Sequence, residues 1–201
     1  MSWIQEISYD NSEGALRKIY DRIKGPDNNV DNILTAQSLR PHTLTGHMAL
    51  YKNVLHNTNN SLPKWYLETL GVYVSFLNNC DYCVQHHFAG LERLLNDTNK
   101  SNQILNSIKN DSLEVCLEEK YYSGSQYALH LTRQPNSIKE ETIDSLRSAG
   151  LSDGEILEIN QVVSYFNYAN RTVLGLGVNT EGDIIGLSPR DSSDPENWSH
   201  S

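Results

Sequence analysis

Hydrophobic residues recur at intervals of three and four along most of the chain, which is the pattern of amphipathic helices. In segment 42–57, for example, Leu44, Met48, Tyr51 and Leu55 have this spacing. No pair of segments shows the strict alternation that is typical of paired strands. The sequence therefore predicts an all-α fold of seven or eight helices. The predicted helical segments are 13–24, 42–57, 63–77, 80–96, 100–109, 111–132, 137–149 and 156–177.

Segment 63–77 predicts a well-buried helix, because apolar residues cover most of its circumference. Pro63 is predicted in the first turn, where the missing N–H of proline has no cost. Asn78 and Asn79 then interrupt the pattern. Asparagine is a favourable N-cap, so the next helix is predicted to begin near Cys80.

Two later helix starts are predicted from capping boxes, in which a serine is followed three residues later by a glutamate. Ser137 and Glu140 have this spacing, and so do Ser152 and Glu155. The long helix that ends near residue 177 is predicted to begin after the second of these boxes.

The C-terminal residues 178–201 have a different composition, rich in glycine, proline, serine and aspartate. Such a segment is expected to be ordered only by packing on other parts of the protein. The sequence therefore predicts a helical domain over residues 1–177 and a polar tail over residues 178–201.

The charge of the chain limits its possible partners. The 201 residues carry a formal net charge of −9, from 16 basic and 25 acidic residues. An acidic surface gains little from neutralising phosphate groups, so we expect no nucleic-acid partner. No segment approaches the roughly 20 apolar residues that span a bilayer, and the N-terminal segment lacks signal-peptide features. We therefore expect a cytoplasmic protein without membrane contacts.

The stretch NNCDYCVQHH contains two of the three cysteines. In a reducing compartment, a Cys-x-x-Cys pair is more typical of a redox or metal site than of a structural disulfide. Cys80, Cys83 and His87 have spacings that place them on one helical face. A helix N-terminus favours a thiolate, and a histidine one turn away can exchange a proton with it. His86 lies about 100° round the helix, so we expect it to be solvated or in an interface.

Glu68 completes this group of side chains. It lies on the predicted buried helix 63–77, and a buried carboxylate requires a partner. If that helix packs antiparallel to the helix that follows, Glu68 comes within reach of His87. The predicted site is therefore Glu68, His87, Cys80 and Cys83.

The spacing of these four residues resembles a known family. Glu68, eleven residues, Cys80-x-x-Cys83, three residues and His87 form a pattern similar to that of the alkylhydroperoxidase D-like (AhpD-like) proteins of the carboxymuconolactone decarboxylase superfamily. The stretches SWIQEI, CDYCVQHH and NRTVLGLGV resemble its branch of uncharacterised peroxidase-related enzymes. The resemblance spans roughly residues 2–178.

This resemblance implies an all-helical homo-oligomer that reduces a small-molecule peroxide through a dithiol/disulfide cycle. It implies no metal and no organic cofactor, and it requires a dithiol electron donor that the sequence does not identify. Carried over to this chain, Cys83 attacks the peroxide, Cys80 closes the disulfide, and His87 and Glu68 relay protons. Some members have a relay histidine between the two cysteines, where this chain has Tyr82.

Three alternatives remain open at this level. The helix N-terminus favours Cys80 as the thiolate, whereas the family pattern assigns the attack to Cys83. The cysteines and histidines are also zinc ligands by type, which would suit a metal-stabilised or oligomeric scaffold without turnover. A non-redox reaction on a lactone acid is a third possibility, because the decarboxylase branch of the superfamily performs one without a Cys-x-x-Cys pair.

Three further residues are expected to have structural roles. Cys116 is predicted to be an ordinary buried residue of the long helix over segment 111–132. Asn170 and Arg171, which fall in the family-like stretch NRTVLGLGV, are expected to serve in capping, packing or subunit contacts.

Overall fold

The computed structural model describes residues 1–200. Its regular elements in that range are helical, which confirms the predicted all-α class. Between residues 1 and 200, three short 3-10 helices occur at Pro26–Asn28, Leu113–Val115 and Pro135–Ser137. The nine α-helices of the described range are α1 (Gly14–Ile23), α2 (Asn32–Thr35), α3 (Pro41–Leu55), α4 (Lys64–Leu77), α5 (Asp81–Leu95), α6 (Thr98–Lys109), α7 (Glu119–Arg133), α8 (Glu140–Ser148) and α9 (Asp153–Leu176).

None of these helices combines the length and the apolar character that crossing a membrane requires. The chain forms two compact units. One consists of Met1–Asn59 together with the chain from Arg171 onward, and the other is Asn60–Asn170. The division predicted after residue 177 stays a prediction.

The first unit is built around α1 and α3. Their apolar faces pack together, and the segment after α9 contributes a large side chain to the same core, because Trp198 is only 2% exposed. The guanidinium of Arg22 lies 3.8 Å from the centre of the Trp198 ring. The predicted polar tail is thus anchored by an aromatic residue. The buried residues of this core are Leu16, Tyr20, Ile23, Val30, Leu34, Leu44, Met48 and Trp198.

The second unit has α4 at its centre, with α5, α6 and α7 packed against it. Eleven of the fourteen residues of α4 are buried, which confirms the prediction from its apolar circumference. Pro63 is the N-cap of α4, one position before the predicted first turn. Glu158 accepts the N–H groups of Ser61 and Leu62 just before this helix, at 2.7 and 2.9 Å.

The single helix predicted over segment 111–132 is wrong. Asp111 adopts a left-handed conformation after α6, and a 3-10 turn follows at Leu113–Val115 before α7 begins. The buried residues Leu113 and Leu117 have helical spacing, which made the turn resemble a helix in the sequence. Cys116 lies between the turn and α7 and is partly exposed, so it is not an interior residue of a long helix.

The two predicted capping boxes have different outcomes. Ser152 and Glu155 form one, because the Glu155 carboxylate accepts the Ser152 N–H at 2.9 Å and the Ser152 hydroxyl accepts the Glu155 N–H at 3.3 Å. The box at Ser137 is wrong, because Pro135 starts a separate 3-10 turn that ends at Ser137. Lys139 is the N-cap of α8 instead.

Candidate active site

The Cys-x-x-Cys pair lies at the start of α5, immediately after a tight turn from α4. Asn78 is the C-cap of α4, and Asn79 has a positive φ of 55°, which asparagine tolerates better than most residues. Cys80, rather than an asparagine, is the N-cap of α5. Its backbone N–H donates to the Ser75 carbonyl oxygen at 2.9 Å. The turn therefore fixes the first cysteine at the N-terminus of a 15-residue helix.

Glu68 and His87 form an ion pair or charge-assisted hydrogen bond across the α4–α5 hairpin. The Oε2 atom of Glu68 lies 2.7 Å from Nδ1 of His87, and the side chains are 5% and 13% exposed. The structure thus places together the two residues expected to meet. A carboxylate bound to one ring nitrogen fixes the orientation of the imidazole and directs proton exchange to Nε2.

Three residues that sequence reasoning missed shape the surroundings of this pair. The ring of Phe166 contacts the imidazole of His87 edge-on, with 4.5 Å between ring centres. Gly71 lies directly under Phe166, and a β-carbon there would overlap its ring. Gly90 leaves room for the Glu68 carboxylate one turn after His87. The imidazole is therefore held by packing as well as by the carboxylate.

Cys80 and Cys83 are reduced and nearly inaccessible, at 0% and 3% exposure. A hydrogen bond between the two side chains lowers the pKa of Cys80 and outweighs the effect of burial. The same hydrogen bond, together with burial, raises the pKa of Cys83 well above the usual value. When the reduced pair loses one proton, the negative charge is therefore favoured on Cys80, with the Cys83 S–H as the donor to it.

A network of side-chain amides continues from the turn to Asn170, which is fully buried. Asn78 Nδ2 donates to Oδ1 of Asn170 at 2.9 Å and to Oδ1 of Asn167 at 3.0 Å. Nδ2 of Asn170 donates to the Ser75 hydroxyl at 3.0 Å. The Asn170 side chain also lowers the pKa of the Cys80 thiol as a hydrogen-bond partner. Asn170 thus lies at the site, whereas sequence reasoning gave it a purely structural role.

The side chain at the position between the cysteines, Tyr82, is buried and stacks on His86. The ring centres are 4.5 Å apart and the planes differ by 29°. The first of the two positions expected for His86, a solvated one, is wrong, because the residue is buried against Tyr82; the second, in an interface, stays a prediction. Amphipathic spacing alone did not reveal this, because a stacked aromatic neighbour one turn earlier provides the cover.

Residues 1–200 contain no group of three or more histidine, cysteine, aspartate or glutamate side chains that could hold a metal ion. The arrangement of Cys80, Cys83, His87 and Glu68 combines two hydrogen-bonded thiols with an imidazole bound to a carboxylate. Such a group can perform nucleophilic attack by sulfur and move the accompanying protons.

Neither protein-family models nor curated proteins match the chain. Solved structures do. An AhpD-core, uncharacterised peroxidase-related protein from Ralstonia eutropha JMP134 is 18% identical, with a TM-score of 0.74 and coverage of 89% of this chain and 91% of that one. An uncharacterised peroxidase-related protein from Silicibacter sp. TM1040 is 25% identical, with a TM-score of 0.69 and coverage of 82% and 85%.

A third similar structure is a debrominase in complex with 2,3,4-tribromopyrrole. It is 15% identical to this chain, with a TM-score of 0.67 and coverage of 90% of this chain and 95% of that one. Together these similarities confirm the resemblance predicted from the sequence: the chain has the fold of the AhpD-like, peroxidase-related proteins.

Proposed function

We propose that the protein is a thiol-dependent peroxidase that reduces a small peroxide through a Cys80–Cys83 dithiol/disulfide cycle. One observation carries this proposal: Cys80 caps the N-terminus of α5 and shares a hydrogen bond with Cys83, which lowers the pKa of Cys80 and raises that of Cys83. A thiolate, rather than a thiol, is the nucleophilic form of cysteine. The Glu68–His87 pair on the same hairpin supplies a means of moving protons.

The first step is attack by the Cys80 thiolate on one oxygen of the peroxide. The O–O bond breaks, and Cys80 becomes a sulfenic acid. The leaving oxygen takes up the proton that Cys80 had lost, delivered through His87, and departs as an alcohol, or as water from hydrogen peroxide. The sulfur is oxidised by two electrons and the peroxide is reduced by two.

The second step closes the disulfide. The Cys83 sulfur attacks the Cys80 sulfenic sulfur, the S–O bond breaks, and the Cys83 proton leaves with the hydroxyl as water. An external dithiol then reduces the disulfide by exchange and restores both thiols. The cycle needs no metal and no organic cofactor. Reduction by an external dithiol, a homo-oligomeric state and a cytoplasmic location are further parts of the proposal.

This order of attack differs from the one that the family pattern implies, in which Cys83 attacks and Cys80 resolves. We favour Cys80 because the hydrogen bond between the two thiols lowers the pKa of Cys80 and raises that of Cys83. Attack by Cys83 would first require its proton to move to another group. In either order, Glu68 holds His87 by its Nδ1 atom, so Nε2 is the nitrogen that exchanges protons.

Peroxide consumption with a dithiol reductant tests the proposal in four proteins: wild type, Cys80→Ser, Cys83→Ser and Cys116→Ser. We expect turnover to be lost in the first two variants and retained in Cys116→Ser, which controls for removal of a thiol outside the site. Equal turnover in all four proteins would rule out the mechanism.

Trapping of the sulfenic acid with dimedone tests the order of attack. We expect Cys80 to be labelled after treatment of Cys83→Ser with one equivalent of peroxide, and no label on Cys83 in Cys80→Ser. Labelling of Cys83 in Cys80→Ser, with none on Cys80 in Cys83→Ser, would restore the order that the family pattern implies.

Other functions of the same scaffold predict different results. Because a similar structure is that of a debrominase, 2,3,4-tribromopyrrole is a suitable competing substrate. If the protein turned over this compound and no peroxide, peroxide would no longer be the proposed substrate. Activity on a lactone acid in a variant without Cys80 and Cys83 would favour a non-redox enzyme. Stoichiometric zinc in the purified protein, lost in Cys80→Ser, would favour a metal-stabilised scaffold.

A further inference from the structure

Asn170 is a fully buried amide that the proposed thiol cycle does not yet use. It lies on α9, with no exposed surface, and meets the α4–α5 hairpin at its turn. Buried amide groups are almost always hydrogen-bonded, so the partners of Asn170 define what its side chain can do. Its Oδ1 accepts from Asn78 Nδ2, the residue that caps α4. The side-chain oxygen of Asn170 is therefore hydrogen-bonded to the turn between α4 and α5.

The nitrogen of the same amide faces the start of α5. Nδ2 of Asn170 carries two hydrogens, and it donates to the Ser75 hydroxyl at 3.0 Å. The carbonyl group of the same Ser75 accepts the backbone N–H of Cys80 at 2.9 Å. Ser75 thus holds the amide nitrogen of Asn170 beside the N-terminus of α5. The second hydrogen is available to another acceptor, and the side chains of Cys80 and Cys83 are hydrogen-bond partners of Asn170.

We propose that Asn170 is a catalytic residue of this site, whose side-chain amide donates a hydrogen bond to the thiolate of the Cys80–Cys83 pair. The direction of its effect on both cysteines supports this role, because it lowers the pKa of each thiol. The inference rests on the proposed function, to which it adds a residue that stabilises the reactive form of the sulfur.

The hydrogen bond from the Asn170 amide stabilises sulfur only when the cysteine pair is reduced. A thiolate carries a full charge and accepts an amide hydrogen strongly, whereas a disulfide sulfur is neutral and a weak acceptor. The Asn170 amide therefore stabilises the charged, reduced pair and not the oxidised pair. It also provides a donor that does not titrate, so its hydrogen bond to the sulfur does not depend on the protonation state of His87.

Asn167 offers a matched control on the same helix. It lies nearly one turn before Asn170 and accepts from the same Asn78 nitrogen, at 3.0 Å. Its side chain does not contribute to the pKa shift of either cysteine. Removal of the Asn167 amide therefore disturbs the amide network without removing the donor to sulfur.

The experiment measures the rate at which iodoacetamide alkylates Cys80 as a function of pH, with the modified residue identified by tandem mass spectrometry. Four proteins are compared in a Cys116→Ser background: the parent, Asn170→Ala, Asn170→Asp and Asn167→Ala. The midpoint of each pH profile, rather than its plateau, is the readout, because a substitution also changes access to a buried thiol.

We expect the midpoint to rise by about one pH unit in Asn170→Ala, as is typical for the loss of one donor to a charged group. Asn170→Asp keeps the shape of the side chain but replaces its donors with a carboxylate, so the midpoint rises at least as far. Asn167→Ala leaves the midpoint unchanged. An unchanged midpoint in both folded Asn170 variants, or an equal rise in Asn167→Ala, would overturn the inference.

Alkylation requires no peroxide, so this result is separate from the test of the proposed function. A raised midpoint in the Asn170 variants, in a protein that consumes no peroxide, would refute the peroxidase proposal and retain the role of Asn170. Circular dichroism of each variant verifies the helical fold. If the cavity in Asn170→Ala prevents folding, the midpoint of Asn170→Asp is compared with that of the parent. If the buried carboxylate in Asn170→Asp prevents folding, the midpoint of Asn170→Ala is used instead.

Discussion

Gly90 lies against the carboxylate of Glu68: a β-carbon at Gly90 would come within 3.3 Å of the Glu68 carboxyl carbon and 3.4 Å of both its oxygens. Such contacts are too close for the carboxylate to keep its place unchanged. Gly90 follows His87 by nearly one helical turn on α5, so the absence of a side chain there is part of how Glu68 reaches the imidazole.

Gly90→Ala is therefore expected to lower peroxide turnover by about tenfold, because small displacements of reacting groups have large effects on rate. Steady-state peroxide consumption is the measurement. Gly46→Ala on α3 is the control, since a β-carbon there meets nothing within 4 Å. That substitution should leave turnover unchanged and stabilise the helix by about 0.5–1 kcal/mol. Equal turnover in the two variants would contradict the role assigned to Gly90.

Glu68→Gln tests the charge of the carboxylate separately from its shape. Glutamine keeps an acceptor for His87 but removes the negative charge. Proton transfer through the imidazole is then slower, and we expect turnover to fall by about 100-fold. Glu158→Gln is a suitable comparison, because Glu158 binds backbone N–H groups before α4 and is expected to affect stability alone. Comparable losses of turnover in the two variants would argue against a relay.

Oxidation is expected to consume two thiols and leave one. The described structure contains three reduced cysteines, of which Cys80 and Cys83 share a hydrogen bond and Cys116 lies elsewhere. One equivalent of peroxide should therefore reduce the number of thiols that react with Ellman's reagent in denaturant from three to one. The corresponding change in Cys116→Ser is from two to none. A pair of thiols that survives excess peroxide would be inconsistent with a dithiol cycle.

The stability of the protein is expected to fall as the pH is lowered from about 6.5 to 4. Burial lowers the pKa of His47 from 6.5 to about 4. The unfolded chain therefore binds a proton in this window that the folded chain does not, so the free energy of unfolding decreases with decreasing pH and is fully retained above 6.5. His200, whose pKa is lowered to about 4 by burial and by His56, acts in the same direction.

Urea unfolding of wild type and His47→Gln at pH 7 and pH 5 measures this effect. In wild type, His47 alone should contribute a loss of about 2 kcal/mol between these two values of pH. The loss should be smaller by about that amount in His47→Gln and unchanged in His42→Gln, which alters an exposed histidine of the same helix. The same pH dependence in all three proteins would exclude His47 as its source.

The α4–α5 hairpin and the Glu68–His87 contact followed from local pattern, because the residues involved are close in sequence. A turn of two asparagines joins the buried helix to a second amphipathic helix, so the two helices pack against each other. Few side chains other than those of the second helix can then bind Glu68. The relation between Cys80 and His87 likewise depends only on helical periodicity. Long-range packing was not needed for either inference.

The contributions of α9 to the site could not be derived in this way. Phe166 and Asn170 are four residues apart on one face of α9, but nothing in their spacing indicates which helix they meet. One signal was present: Asn170 is a polar residue on the same stripe as the apolar Phe166. Polar residues in an apolar stripe require a buried partner, and the thiol pair with its turn supplies it.

The turn at Asn78 and Asn79 also sets the length of the motif in this chain. Glu68 lies on one helix and the reactive sulfurs lie at the start of the next. The eleven residues between Glu68 and Cys80 therefore consist of the rest of α4 and that turn. One residue inserted there would rotate the start of α5 by about 100° relative to α4 and separate the imidazole from its carboxylate. During evolution, this interval is therefore expected to resist insertions and deletions while the surrounding sequence diverges beyond what family models detect.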